Sequence, residues 1–135
     1  MFDYDDPLRV EYIDGRSWLL VEDFSYFDDA PEAGEAGRFI DVPLGFTTDF
    51  ASIPRLFWTI LPPAGQYGKA AVIHDWLYFS GRDGEGDPVT RAYADGVFLR
   101  AMKELGVPWH RRTVMYLAVR TFAGPLWAKR RKARP

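Results

Sequence analysis

With 135 residues, 47% of them apolar and 16% aromatic, the chain is long enough for one folded domain with a real core, too short for two, and too apolar to be disordered. It has no cysteine, which excludes a disulfide frame, a thiolate nucleophile and a cysteine-ligated zinc or iron–sulfur centre. The net charge of −2 hides a strong polarity: residues 1–35 carry eleven Asp/Glu against Arg9 and Arg16, whereas residues 128–135, AKRRKARP, carry five Lys/Arg and no acid.

The opening MFDYDDPLRVEY is acidic where a secretory signal would be basic and then apolar, and no apolar run approaches the roughly 20 residues that span a bilayer. A soluble protein without membrane insertion is expected.

Residues 8–13 and 17–22 flank Asp14-Gly15, a two-residue hairpin turn, so the chain should begin with a β-hairpin. Residues 24–37, with Asp28-Asp29, Pro31, Gly34 and Gly37, show no period and are expected as a surface loop. Arg38–Val42 makes a third strand.

Pro43, Gly45, Pro54, Pro62, Pro63 and Gly65 break up the middle, leaving room for a short helical turn over 53–59. Over 66–79 the apolar residues Ala70, Ile73, Trp76 and Leu77 fall at helical spacing, and Gly81 with the polar RDGEGD ends that helix. Asp87 or Thr90 caps the next helix, with Pro88 in its first turn, and it runs to Leu105 before Gly106 and Pro108. A third helix over 109–122 presents Val114, Leu117, Ala118, Thr121 and Phe122 on one face. The expected architecture is α+β: a small antiparallel sheet, the hairpin plus the third strand, packed on three helices. Residues 1–128 form a single domain and 129–135 a frayed basic tail, with no repeat or linker between them.

The stretch VPLGFTTDFASIPRLFWTILPPAGQYGKAAVIHDWLY embeds Asp49, Ser52, Arg55, His74 and Asp75 among aromatic and aliphatic residues. Polar groups are costly to desolvate, so their presence in core-like sequence predicts that they meet one another inside the fold. His74-Asp75 sits within a helix between apolar neighbours, and adjacent helical positions differ by about 100°, so at least one of the pair points at or beside the buried face. Asp95 shares a stripe with Ala92, Phe98, Leu99, Met102 and Leu105, where an acid is buried unless paired, and Arg91 one turn earlier is the nearest cation.

Asp49, His74, Asp75 and Asp95 are therefore the candidate catalytic residues. Asp49, His74 and Asp95 are candidate ligands of a divalent metal ion that activates water for hydrolysis. The same set also suits a metal-free acid/base pair in which Asp orients His, with Ser52, Arg55 and Arg91 binding substrate or stabilising an anion. Each candidate has a structural alternative: a helix-to-loop hydrogen bond for His74-Asp75, an Arg91–Asp95 bridge, and Asp49 capping a turn near Ser52. Ser52 lacks the G-x-S-x-G surroundings of a nucleophile elbow, and nothing spaces His110 as a partner of His74.

The basic tail could meet phosphates or an acidic partner. With no helix-turn-helix or zinc module beside it and an acidic pI of about 5.7, sequence-specific nucleic-acid reading is not expected. The glycine-rich patches at 62–68 and 81–86 lack the lysine and strand of a nucleotide loop and read as turns.

VPLGFTTDFASIPR, the following LPP and AAVIHDWLY, then RAYADGVFLRAM and GVPWHRRTVMYLAVR resemble, in that order, the small phage and prophage proteins catalogued as domain of unknown function 1353. The likeness spans about residues 41–122 and implies a phage or prophage origin, with the family's polar signature falling on Asp49, Ser52, Arg55, His74, Asp75, Arg91 and Asp95.

Two readings follow: a hydrolase-like protein acting on cell-wall or host phosphate-containing material, and a non-enzymatic virion or tail-assembly component whose polar cluster is structural. The partners expected are other phage structural proteins or a host target, and the location the host cytoplasm or the virion.

Overall fold

The structure is a computed structural model and describes residues 8–14, 17–48 and 68–134. Its elements are β1 (Val10–Asp14), β2 (Ser17–Leu20), β3 (Phe24–Asp28), β4 (Arg38–Val42), β5 (Thr47–Thr48), α1 (Gly68–Ser80), α2 (Arg91–Glu104), α3 (Trp109–Phe122) and α4 (Gly124–Ala133). The class is α+β, as the sequence predicts. The turn over 53–59 and the candidates Asp49, Ser52 and Arg55 lie outside the described residues, as does the hairpin's Gly15.

β1 and β2 pair antiparallel as the expected hairpin, but their third strand is β5, with Trp18 opposite Thr48 and Leu19 opposite Thr47. β4 has the expected bounds yet belongs to a second, two-stranded sheet with β3. Residues 24–28 are thus a strand and not the expected surface loop. Phe24, Tyr26 and Asp28 alternate inward with period two, which the turn-forming residues just after them obscure in the sequence. A 3-10 turn at Pro31–Ala33 leads back to β4.

α1 is buried almost all round, from Ala70 to Ile73 and at Leu77 and Tyr78, so it forms the central column of the core rather than a surface helix. α2 starts where Thr90 Oγ1 accepts the Tyr93 amide at 3.0 Å, so Thr90 is the cap, and Asp87 and Pro88 lie outside the helix. It buries Ala94, Val97, Phe98, Ala101 and Met102.

α3 has the expected span but a different buried face. Met115, Ala118 and Val119 turn inward, whereas Leu117 and Phe122 are exposed. The basic segment read as a frayed tail is largely the last turns of α4. Pro125 opens that helix, Leu126 and Trp127 anchor it against the core cluster, and Trp127 meets the Tyr78 ring edge-on at 5.0 Å. Among the described residues no helix is long and apolar enough to cross a membrane.

Candidate active site

Three helices converge on one carboxylate. Placing the start of α2 at Arg91 sets Asp95 on its buried face, where it is fully shielded from solvent. His74 and Tyr78 are one turn apart on α1 and therefore share a face. His74 Nε2 lies 2.8 Å from Asp95 Oδ1, and the Tyr78 hydroxyl donates to the same oxygen at 2.7 Å. From α3, Arg120 Nη1 donates to Asp95 Oδ2 at 2.9 Å.

Arg91 is 3.9 Å from Oδ2, beyond hydrogen-bond reach. Its Nε donates instead to the Tyr78 hydroxyl at 3.3 Å, and Nη2 to the carbonyls of Val119 and Arg120 at 3.0 and 2.5 Å. Those carbonyls belong to the last turn of α3, whose unsatisfied acceptors favour a cation. The expected Arg91–Asp95 bridge is thus present as an ion pair without a hydrogen bond, and Arg120 is the guanidinium hydrogen-bonded to Asp95.

Burial alone would push the Asp95 carboxyl up. The hydrogen bond and charge of His74, then the Tyr78 and Arg120 donors, outweigh it and hold the pKa below the usual carboxylate range. The same geometry raises the Tyr78 hydroxyl, through burial first and the Asp95 bond second. An ionised carboxylate only accepts, so the proton of the His74–Asp95 bond sits on Nε2. In the neutral form of the ring the other nitrogen, Nδ1, carries a lone pair. It is buried and has no hydrogen-bond partner among the described residues. The ring is held in place by Tyr78 and Phe98, with centroids at 4.4 and 4.7 Å.

Asp75, about 100° further round α1, faces elsewhere. Its Oδ2 accepts the Thr48 hydroxyl of β5 at 2.5 Å, and both groups are buried. The structure therefore brings His74, Asp95 and Arg91 together and directs Asp75 to β5.

No group of three or more His, Asp or Glu among the described residues is arranged to hold a metal ion. Of the three candidate ligands, His74 and Asp95 spend their facing atoms on a direct bond to each other, and Asp49 lies outside the described residues.

Tyr78, Arg120 and Thr48 belong to these networks and lie outside the candidate set that the sequence suggests. Tyr78 had a signal, since it lies four residues after His74. A third buried acid carries no such signal in the sequence. Asp28, at the end of β3, accepts Tyr93 Oη at 2.6 Å and Arg100 Nη2 at 2.8 Å from α2, and the Ala30 amide at 3.2 Å. Burial pushes its carboxyl up, but the Arg100 and Tyr93 bonds hold it low.

In comparisons with known proteins, residues 18–119 match the family model described as protein of unknown function (DUF1353). Over 110 residues, 80% of this chain, the sequence is 41% identical to uncharacterized protein y4jT of Sinorhizobium fredii (strain NBRC 101917 / NGR234). The matched stretch spans 29% of that relative's length. No solved structure matches. With the family model covering most of the chain, including both ends of the His74–Asp95 pair, this protein belongs to the DUF1353 family.

Proposed function

We propose that the chain is a small hydrolase in which His74 acts as general base through Nδ1, with Asp95 holding the ring and stabilising the imidazolium that forms. The observation that carries this is the buried Nδ1, without a hydrogen-bond partner among the described residues, beside an Nε2 bonded to Asp95. An acceptor left unsatisfied in the interior costs about 1–3 kcal/mol, a cost that a proton-donating water or substrate would remove. Asp95 is suited to orient the ring because Tyr78 and Arg120 fix both of its oxygens. The direct His74–Asp95 bond favours metal-free acid/base chemistry over a cation shared by those two side chains. Cell-wall material and phosphate-containing host molecules are the substrate classes we infer from the family resemblance to phage proteins.

The test is hydrolysis of a panel of carboxylic esters, phosphodiesters and peptidoglycan by the full chain and its His74→Ala and His74→Gln forms. The proposal expects turnover of one class by the parent and its loss in both variants, with folding retained in at least one. Turnover that survives in a folded variant, or an inactive parent across the panel, would overturn it.

A second reading has its own observation. Asp95 is fully buried and ties α1, α2 and α3 together, which suits a structural cluster in a virion or tail-assembly component. In that case His74→Ala would lose stability as its sole defect.

A further inference from the structure

Between the end of α1, the 81–90 segment and α4 lies a groove of about 900 Å³. Its lining combines apolar Phe79, Val89, Leu126 and Trp127 with the cations Arg82, Arg91, Lys129, Arg130, Arg131 and Arg134. No acid is among the lining residues.

Two of these cations are structural. Arg91 is committed to Tyr78 and the α3 carbonyls. Arg134 donates to the Phe79 carbonyl at 3.1 Å and to that of Tyr78, and its guanidinium lies 4.5 Å from the Trp127 ring centroid. Gly81, at φ 65°, makes room for it, since a Cβ there would strike the Arg134 guanidinium.

Arg82 Nη1 also donates to the Gly86 carbonyl at 2.8 Å, but a carbonyl does not neutralise a cation, and among the described residues the remaining cations lack a counter-charge. Among the described residues, none of Arg82, Lys129, Arg130 or Arg131 forms an ion pair. Arg130 Nε is buried without a hydrogen-bond partner among those residues. Burial and the charges of Arg131, Arg130 and Arg82 lower the pKa of Arg134, which shows how closely these like charges are gathered. Basic residues in the last turn of α4 complement its dipole, but that does not account for Arg82, which lies outside α4, or for the apolar residues that share the groove.

We propose that this groove binds a phosphate-bearing ligand with an attached apolar or aromatic group. Guanidinium forks match phosphate oxygens bidentately, and a dianion answers several unpaired cations where one carboxylate would answer one. The apolar part would lie over Phe79 and Trp127. The proposal is independent of catalysis at His74, whose side chain does not line the groove.

The experiment is calorimetric titration of the full chain with phenyl phosphate, inorganic phosphate and benzoate, repeated with phosphatidic acid vesicles as competitor. Expected are saturable 1:1 binding of phenyl phosphate, tighter than either control, and about a tenfold loss in Arg130→Gln/Arg131→Gln and in Arg82→Gln, with thermal melting confirming their folds. Competition by the vesicles would identify a lipid headgroup as the source of the phosphate, and its lack a soluble ligand; either result supports the groove. No saturable binding, benzoate binding as tightly as phenyl phosphate, affinity unchanged in both folded variants, or vesicle capture without phenyl phosphate binding would each overturn it.

Discussion

His74 and Tyr78 converge on a single oxygen of Asp95, at 2.8 and 2.7 Å, while Arg120 takes the other oxygen. A carboxylate so saturated cannot rotate, and the imidazole bonded to it is fixed in plane and tautomer. Both readings of function rest on this arrangement, so its consequences can be measured whether or not a substrate is known.

Tyr78→Phe removes a hydroxyl that donates to Asp95 and accepts from Arg91. The ring contacts with His74 and Trp127 would survive, so the loss should be confined to hydrogen bonding, about 1–2 kcal/mol. Urea denaturation of parent and variant measures it, and a stability unchanged within error would contradict the geometry.

Asp28→Ala cuts the link between β3 and α2 and leaves Arg100 and Tyr93 without their shared acceptor. Breaking a largely buried ion pair should cost about 3 kcal/mol. The variant is expected to lower the denaturation midpoint by more than Tyr78→Phe does, and the reverse ranking would count against this role for Asp28.

Asp28 and Asp95 both have folded-state pKa values held below those of an unfolded chain. Each therefore contributes stability that is fully present above the unfolded value, roughly pH 3.9, and is lost as pH falls through the lower folded value. Denaturant titrations should show stability falling on acidification below about pH 4, with a shallower fall in Asp28→Asn, which has one fewer depressed carboxyl. A parallel fall in parent and variant would rule out the Asp28 contribution.

Thr48→Val keeps the shape of a buried side chain but removes one donor to Asp75. Leaving that carboxylate oxygen short of a bond should cost about 1–3 kcal/mol and loosen β5 against α1. Faster amide exchange in residues 47–48, with α2 and α3 unchanged, is the expected signature. Uniform exchange across the chain would refute it.

How much of this was legible in the sequence depended on which forces dominated locally. β4 and α3 have the bounds their patterns predict, because turn and breaker residues flank them. β3 was hidden because its burial rests partly on Asp28, an acid that reads as surface until Arg100 and Tyr93, 72 and 65 residues away, are placed beside it. α4 was hidden for the converse reason: its cations read as solvated, and only tertiary contact shows Leu126 and Trp127 anchoring them. His74 and Asp95 could be suspected because each interrupts an apolar stripe. Arg120 could not, since a cation in a helix's last turn is ordinary until its carboxylate partner is known.

The most direct measurement of the central claim is the nitrogen-15 NMR spectrum of the His74 imidazole in the folded protein at neutral pH. The account predicts a neutral ring with the proton on Nε2 and a pyridine-type Nδ1, and a spectrum perturbed in Asp95→Asn. A proton on Nδ1, or a His74 spectrum indifferent to Asp95→Asn, would contradict it.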